Sequence, residues 1–187
     1  MTLEQMKKKV LALIEELNPD SELLTDDPDI QLKINDVTNQ VMFELARLKK
    51  IPKYVELPVS EGDLVTFTEI EAALGYEVYQ LGTIGGVMYK PKASGTVLKA
   101  LTSGTMEIDC FVYPERIEST TKDKLYEFEV SADVLEVMPY GIAADLLKSD
   151  VSAEYGNIYA TRYETLIQRL DPRYHVGVVF VEGGIDI

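Results

Sequence analysis

The side chains that could do chemistry are few and scattered. His175 is the only histidine and Cys110 the only cysteine. A histidine base needs a nucleophile within hydrogen-bond reach, and the Gly-x-Ser-x-Gly turn that presents a serine is absent. His175 follows Tyr174 at the start of an apolar run and reads as a surface or packing residue. Cys110 stands among Ile108, Phe111 and Val112 and reads as a core thiol. A single cysteine makes neither an internal disulfide nor a cysteine-based metal site. Asp26-Asp27-Pro28-Asp29 has the acids of a calcium loop but neither its glycine nor its distal glutamate. The same residues suit a helix start, with Asp27 as N-cap, Pro28 at the first helical position and Asp29 favoured by the helix dipole. Gly82-Thr83-Ile84-Gly85-Gly86 could suggest phosphate binding, but it lacks Rossmann or P-loop spacing and no helix is predicted after it, so it reads as a hairpin turn. Carboxylates number 32, and no spacing singles out an acid–base pair. The expectation is no catalytic residue, no cofactor and no metal ligand, and hence not an enzyme.

Composition bounds the remaining classes. The 187 residues suit one domain, or a small helical domain carrying a β insertion, and 46% hydrophobic residues supply a core. Eighteen basic against 32 acidic residues give a net charge of -14. Such a surface repels phosphates, which argues against free nucleic-acid binding and against anionic membranes. No apolar run approaches the ~20 residues that span a bilayer. Lys7, Lys8 and Lys9 precede an apolar stretch over 10–14, but Glu15 and Glu16 interrupt it and no small-residue cleavage site follows. The expectation is therefore no signal peptide and cytoplasmic synthesis.

The elements follow from periodicity. Leu3, Met6, Val10, Leu13 and Leu17 form one helical stripe, widened by Leu11 and Ile14, behind a Thr2 N-cap. Asn18-Pro19-Asp20 should end this helix. A second helix over 29–49 carries Ile30, Ile34, Val37, Val41, Leu45 and Leu48, ends in Arg47, Lys49 and Lys50, and is stopped by Pro52. From 54 to 130 the period shortens toward two. Strands are predicted over 54–57, 64–67, 77–81, 87–90, 96–101, 106–112 and 126–129, with turns at 61–63, 82–86, 94–95 and 103–104. This is an antiparallel β module about the length of a small sandwich. Tyr76, Tyr79, Tyr89 and Tyr113 read as core or rim packing rather than a ligand shelf.

A helical hairpin over 131–170 organises the chain. In its second arm Ala153, Gly156, Ala160, Tyr163, Ile167 and Leu170 share one face, small in its first half and bulky in its second. The first arm offers Val134, Leu135, Met138, Ile142, Ala143, Leu146 and Leu147 against it. Tyr163 reads as core. Tyr155 and Tyr159 lie at the seam's edge and either cover it or meet a neighbouring subunit. After Asp171-Pro172, residues 174–181 read as a final apolar strand. Val176, Val178 and Phe180 on it either pair inside the β module or add to a neighbour's sheet.

The fold class expected is α+β. Residues 1–52 and 131–172 make a helical core, 53–130 an inserted antiparallel β module, and 173–187 a C-terminal strand and tail. This order resembles the head-tail connector proteins of tailed bacteriophages, also called adaptor, neck or head-completion proteins. The resemblance is carried by Val134-Leu-Glu-Val-Met-Pro-Tyr-Gly-Ile-Ala-Ala-Asp-Leu-Leu147, the acidic turn after it, and Tyr155-Gly-Asn-Ile-Tyr-Ala-Thr-Arg-Tyr163; Leu57-Pro58 before the β module also fits. It implies a virion structural protein of a phage or prophage, assembled in the bacterial host cytoplasm. Copies would form a ring, usually dodecameric, below the portal protein, and would dock tail and neck proteins. DNA would pass through the channel without specific binding, its phosphates repelled by an acidic wall, and no membrane would be involved. Tyr155, Tyr159, Val176, Val178 and Phe180 are then the candidate subunit or partner contacts. Two alternatives stay open: another neck or tail component such as a tail terminator, and a carbohydrate- or peptide-binding β module.

Overall fold

A computed structural model describes all residues except 93–94, 96, 149–152 and 171–187. The described residues are α+β: five helices and two small antiparallel sheets. The elements run α1 (Leu3–Leu13), α2 (Pro28–Leu48), β1 (Ile51–Val59), β2 (Leu64–Thr66), α3 (Phe67–Leu74), β3 (Val78–Gly85), β4 (Tyr89–Lys92), β5 (Val97–Ala100), β6 (Gly104–Val112), α4 (Ala132–Leu147) and α5 (Ala153–Leu170). The expected C-terminal strand, with Val176, Val178 and Phe180, lies outside the described residues, as does His175.

Both early helices begin as their sequences dictate. Thr2 and Gln5 form a reciprocal capping box on α1. The Asp27 carboxylate accepts from the amides of Asp29 and Ile30 at 2.8 and 3.2 Å, with Pro28 in the first turn. The ends differ more. α1 stops at Leu13, four residues before the expected 17, because Glu15 adopts a left-handed φ of 63° and the Glu16 amide turns back to the Leu11 carbonyl at 2.9 Å. Glycine usually marks that closure, so a glutamate there conceals it. On α2, Leu48 is half exposed, whereas Thr38 and Asn39 are buried.

Helices α1, α2, α4 and α5 enclose one apolar core, with Leu3, Met6, Val41, Met42, Leu45, Met138 and Ile142 almost fully buried. Helices α4 and α5 pack closely against each other. A Cβ at Gly141 would sit 2.7 Å from the Tyr163 ring, and one at Gly156 would sit 3.3 Å from the Leu147 Cβ. Each glycine thus lets a bulky partner lie against helix backbone. Tyr163 is anchored there by donating its hydroxyl to Glu44 at 3.1 Å. Burial first, and then Glu44, push that hydroxyl up from the ordinary tyrosine range.

The β module holds a second core. One sheet has the order β1-β6-β3 and the other β2-β5-β4. Val59, Val65, Ile70, Leu98, Met106, Ile108 and Val112 close it, with α3 contributing Ile70. Pro52, expected to end the helical part, lies inside β1 opposite Phe111. It is tolerated because β1 is an edge strand and an edge needs fewer amide donors. Three expectations for this region change. Residues 67–74, partly assigned to a strand and otherwise unassigned, form α3, opened by a Thr66–Glu69 capping box and closed by left-handed Gly75. The expected turn at 82–86 is mostly strand: β3 reaches Gly85, with register shifts against β6, and Gly86 is needed because a Cβ there would lie 2.0 Å from the Thr105 carbonyl oxygen. Residues 126–129 make a single bridge, Glu127 to Thr2, rather than a strand. Ile117, Tyr126 and Phe128, placed with the β module by sequence order, are buried in the helical core.

Aromatic packing joins the two parts. The Tyr113 ring stands 4.9 Å from Phe43 on α2 and 4.8 Å from Tyr79 on β3. Tyr79 donates to the Ala46 carbonyl at 2.9 Å, and the Arg47 guanidinium donates to the Tyr113 hydroxyl. Tyr79→Phe should cost about 1 kcal/mol, the worth of that one bond, with the fold retained in a urea melt.

Candidate subunit interface

Of the residues that read as possible reactive groups, Cys110 and Asp27 are occupied structurally. Cys110 is fully buried on β6, and its thiol donates to the Lys53 carbonyl at 3.6 Å. Burial, then the Asp109 carboxylate, push that thiol up, away from the reactive thiolate. Asp27 caps α2 as described. Among the described residues no group of three or more His, Cys, Asp and Glu gathers as a metal site would. No helix among them is long and apolar enough to cross a membrane. Tyr76 donates to Glu129 at 2.9 Å and lies beneath the Lys53 ammonium at 4.1 Å, so with Tyr79 and Tyr113 it serves packing.

The surface feature that stands out is a groove on the helical core. It runs between the α1–α2 elbow, the first half of α2 and the return segment 116–125, with a volume of about 1040 Å³. Leu23, Leu32 and Leu125 all line it, and they are 61, 78 and 74% exposed. These are three of the most exposed large apolar side chains among the described residues. Scattered exposed leucines are ordinary; several along one groove mark a contact surface.

The groove wall is held in place by polar contacts of high sequence separation. Asn39, buried on α2, donates to the Ile117 carbonyl and accepts from the Ile117 amide, each at 2.8 Å. This pair docks the return segment on α2 as a neighbouring strand would. Lys7 pairs with Asp123 at 2.7 Å, and the Leu3 amide donates to Tyr126 at 3.0 Å. Tyr126 is itself buried and donates to the Glu115 carbonyl. Asn35 also lines the groove, and its buried Oδ1 has no hydrogen-bond partner among the described residues. Such an oxygen is costly to leave unpaired. Asn39→Ala should cost about 2 kcal/mol by orphaning the Ile117 groups, and should speed hydrogen exchange at the Ile117 amide first.

The contacts expected from sequence fare differently. Tyr159 turns inward and donates its hydroxyl to the Leu13 carbonyl, so it caps the C-terminal end of α1. The bond ties α5 to α1. Tyr155 lies on α5. Val176, Val178 and Phe180 fall outside the described residues. The groove leucines were missed because they come from three separate segments. Leu32 offered a signal: it falls off the buried stripe of α2, on a polar face.

The chain matches no known protein-family model, and a search of curated proteins finds no relative.

Proposed function

We propose that this chain is a structural subunit of a phage or prophage head-tail junction, forming a ring below the portal that carries the DNA channel toward the tail. The observation that carries the reading is the leucine groove on the helical core. A side chain such as Leu32 gains about 1.5–3 kcal/mol when taken out of water, and three of them in one groove favour a protein contact. The order of elements supports it too. Two N-terminal helices and a late helical pair flank the β module, the order that the connector resemblance implies. The net charge of -14 suits a channel wall that lets phosphates slide past.

Mixing the purified chain with portal rings from the same phage tests this. The chain should co-sediment with the portal and add a visible layer to the ring in electron micrographs. Failure to bind any portal, at any ratio, contradicts the proposal.

A further inference from the structure

The two sheets of the β module turn faces of opposite charge away from the core they share. On the smaller sheet, the register sets Leu64, Lys99 and Lys90 in one row across β2, β5 and β4, with Thr66, Val97 and Lys92 in the next. Val65, Leu98 and Ala100 on the opposite face are buried, so the lysine rows look outward. Lys90 and Lys99 are direct cross-strand partners, and like charges so placed destabilise a sheet. Lysines on an edge strand discourage unwanted pairing, which accounts for Lys90 and Lys92 on β4. It does not account for Lys99 on the central strand.

The larger sheet mirrors this arrangement. Glu56 on β1 is directly opposite Glu107 on β6, and Tyr54 is opposite Asp109. Met106, Ile108 and Cys110 alternate with these acids and are buried, so the carboxylates face outward. Tyr54 donates to Glu56 at 2.9 Å. Its hydroxyl is pushed up to about 12, first by that bond, then by desolvation and by the Glu107, Glu56 and Asp109 charges. Lys50 over the Phe111 ring, at 4.5 Å, marks one end of this face. No salt bridge among the described residues involves these three lysines or these three carboxylates.

We propose that the lysine face of one copy docks on the carboxylate face of the next, head to tail around the ring. The inference rests on the ring reading above. A head-to-tail contact joins two different patches of one chain and closes when its rotation allows, whereas a two-fold contact would set lysine against lysine. Docking this way gives each like-charged pair its opposite, and fixes the direction in which copies add. A polyanion would neutralise only the lysines, would leave Glu56 and Glu107 unrelieved, and would have to approach a chain of net charge -14.

Zero-length carbodiimide coupling of purified phage particles tests it, because it joins only lysines and carboxylates already in contact. The expected result is a ladder of covalent multimers, with isopeptide links from Lys90, Lys92 or Lys99 to Glu56, Glu107 or Asp109. The ladder should be lost in Lys90→Glu/Lys99→Glu and regained when Glu56→Lys/Glu107→Lys is added. A chain present in the particles but linked elsewhere or unlinked overturns the docking and leaves the ring standing. A chain absent from the particles overturns both.

Discussion

Gly141→Leu should break the α4–α5 hairpin, at a cost of at least about 3 kcal/mol, the upper end of what overpacking a core costs. Even Gly141→Ala should destabilise the protein, although alanine favours a helix over glycine by about 1 kcal/mol. The reason is steric. A Cβ at that position meets the Tyr163 ring at 2.7, 2.9 and 3.0 Å through three of its carbons. The ring cannot simply swing away, because its hydroxyl is bonded to Glu44 and its body packs on the helical core. A double-mutant cycle isolates this contact. In a Tyr163→Ala background, Gly141→Ala should become neutral or stabilising, because the obstacle is gone and the helix preference remains. Urea midpoints for the four proteins decide the matter. A Gly141→Ala that stabilises the chain with Tyr163 intact contradicts the described packing.

The second large effect concerns assembly rather than folding. Leu32→Glu combined with Leu125→Glu should leave the melting temperature nearly unchanged, since both side chains are mostly exposed. Binding to the portal should fall by at least ~100-fold, the equivalent of losing about 3 kcal/mol of apolar burial. In a phage carrying both changes, filled heads without tails should accumulate. Equal binding by the double variant would remove the groove from the contact.

How far the sequence reveals this protein depends on the range of the interactions involved. Helix starts were legible because capping is local: Thr2 with Gln5, and Asp27 with Pro28, act within one turn. The α4–α5 pair was legible because its small and bulky positions repeat at helical spacing, and Gly156 against Leu147 matches that pattern. Gly141 carries no local signal for its role, because its need for space is set by Tyr163, on the other helix. α3 had a local signal in Thr66 and Glu69, but its eight residues lie between strands and the turn pattern masked it. The return segment was misplaced for another reason. Ile117, Tyr126 and Phe128 follow the last strand in sequence, yet Asn39, 78 residues away, draws Ile117 onto α2. The groove belongs to the same class. Leu23, Leu32 and Leu125 share no periodicity, and folding alone makes them one surface.

Quantitative mass spectrometry of particles purified after induction of the source organism tests the central claim most directly. The account predicts this chain in the particles, at a copy number equal to that of the portal protein. Purified particles complete with portal and tail but lacking this chain would contradict it.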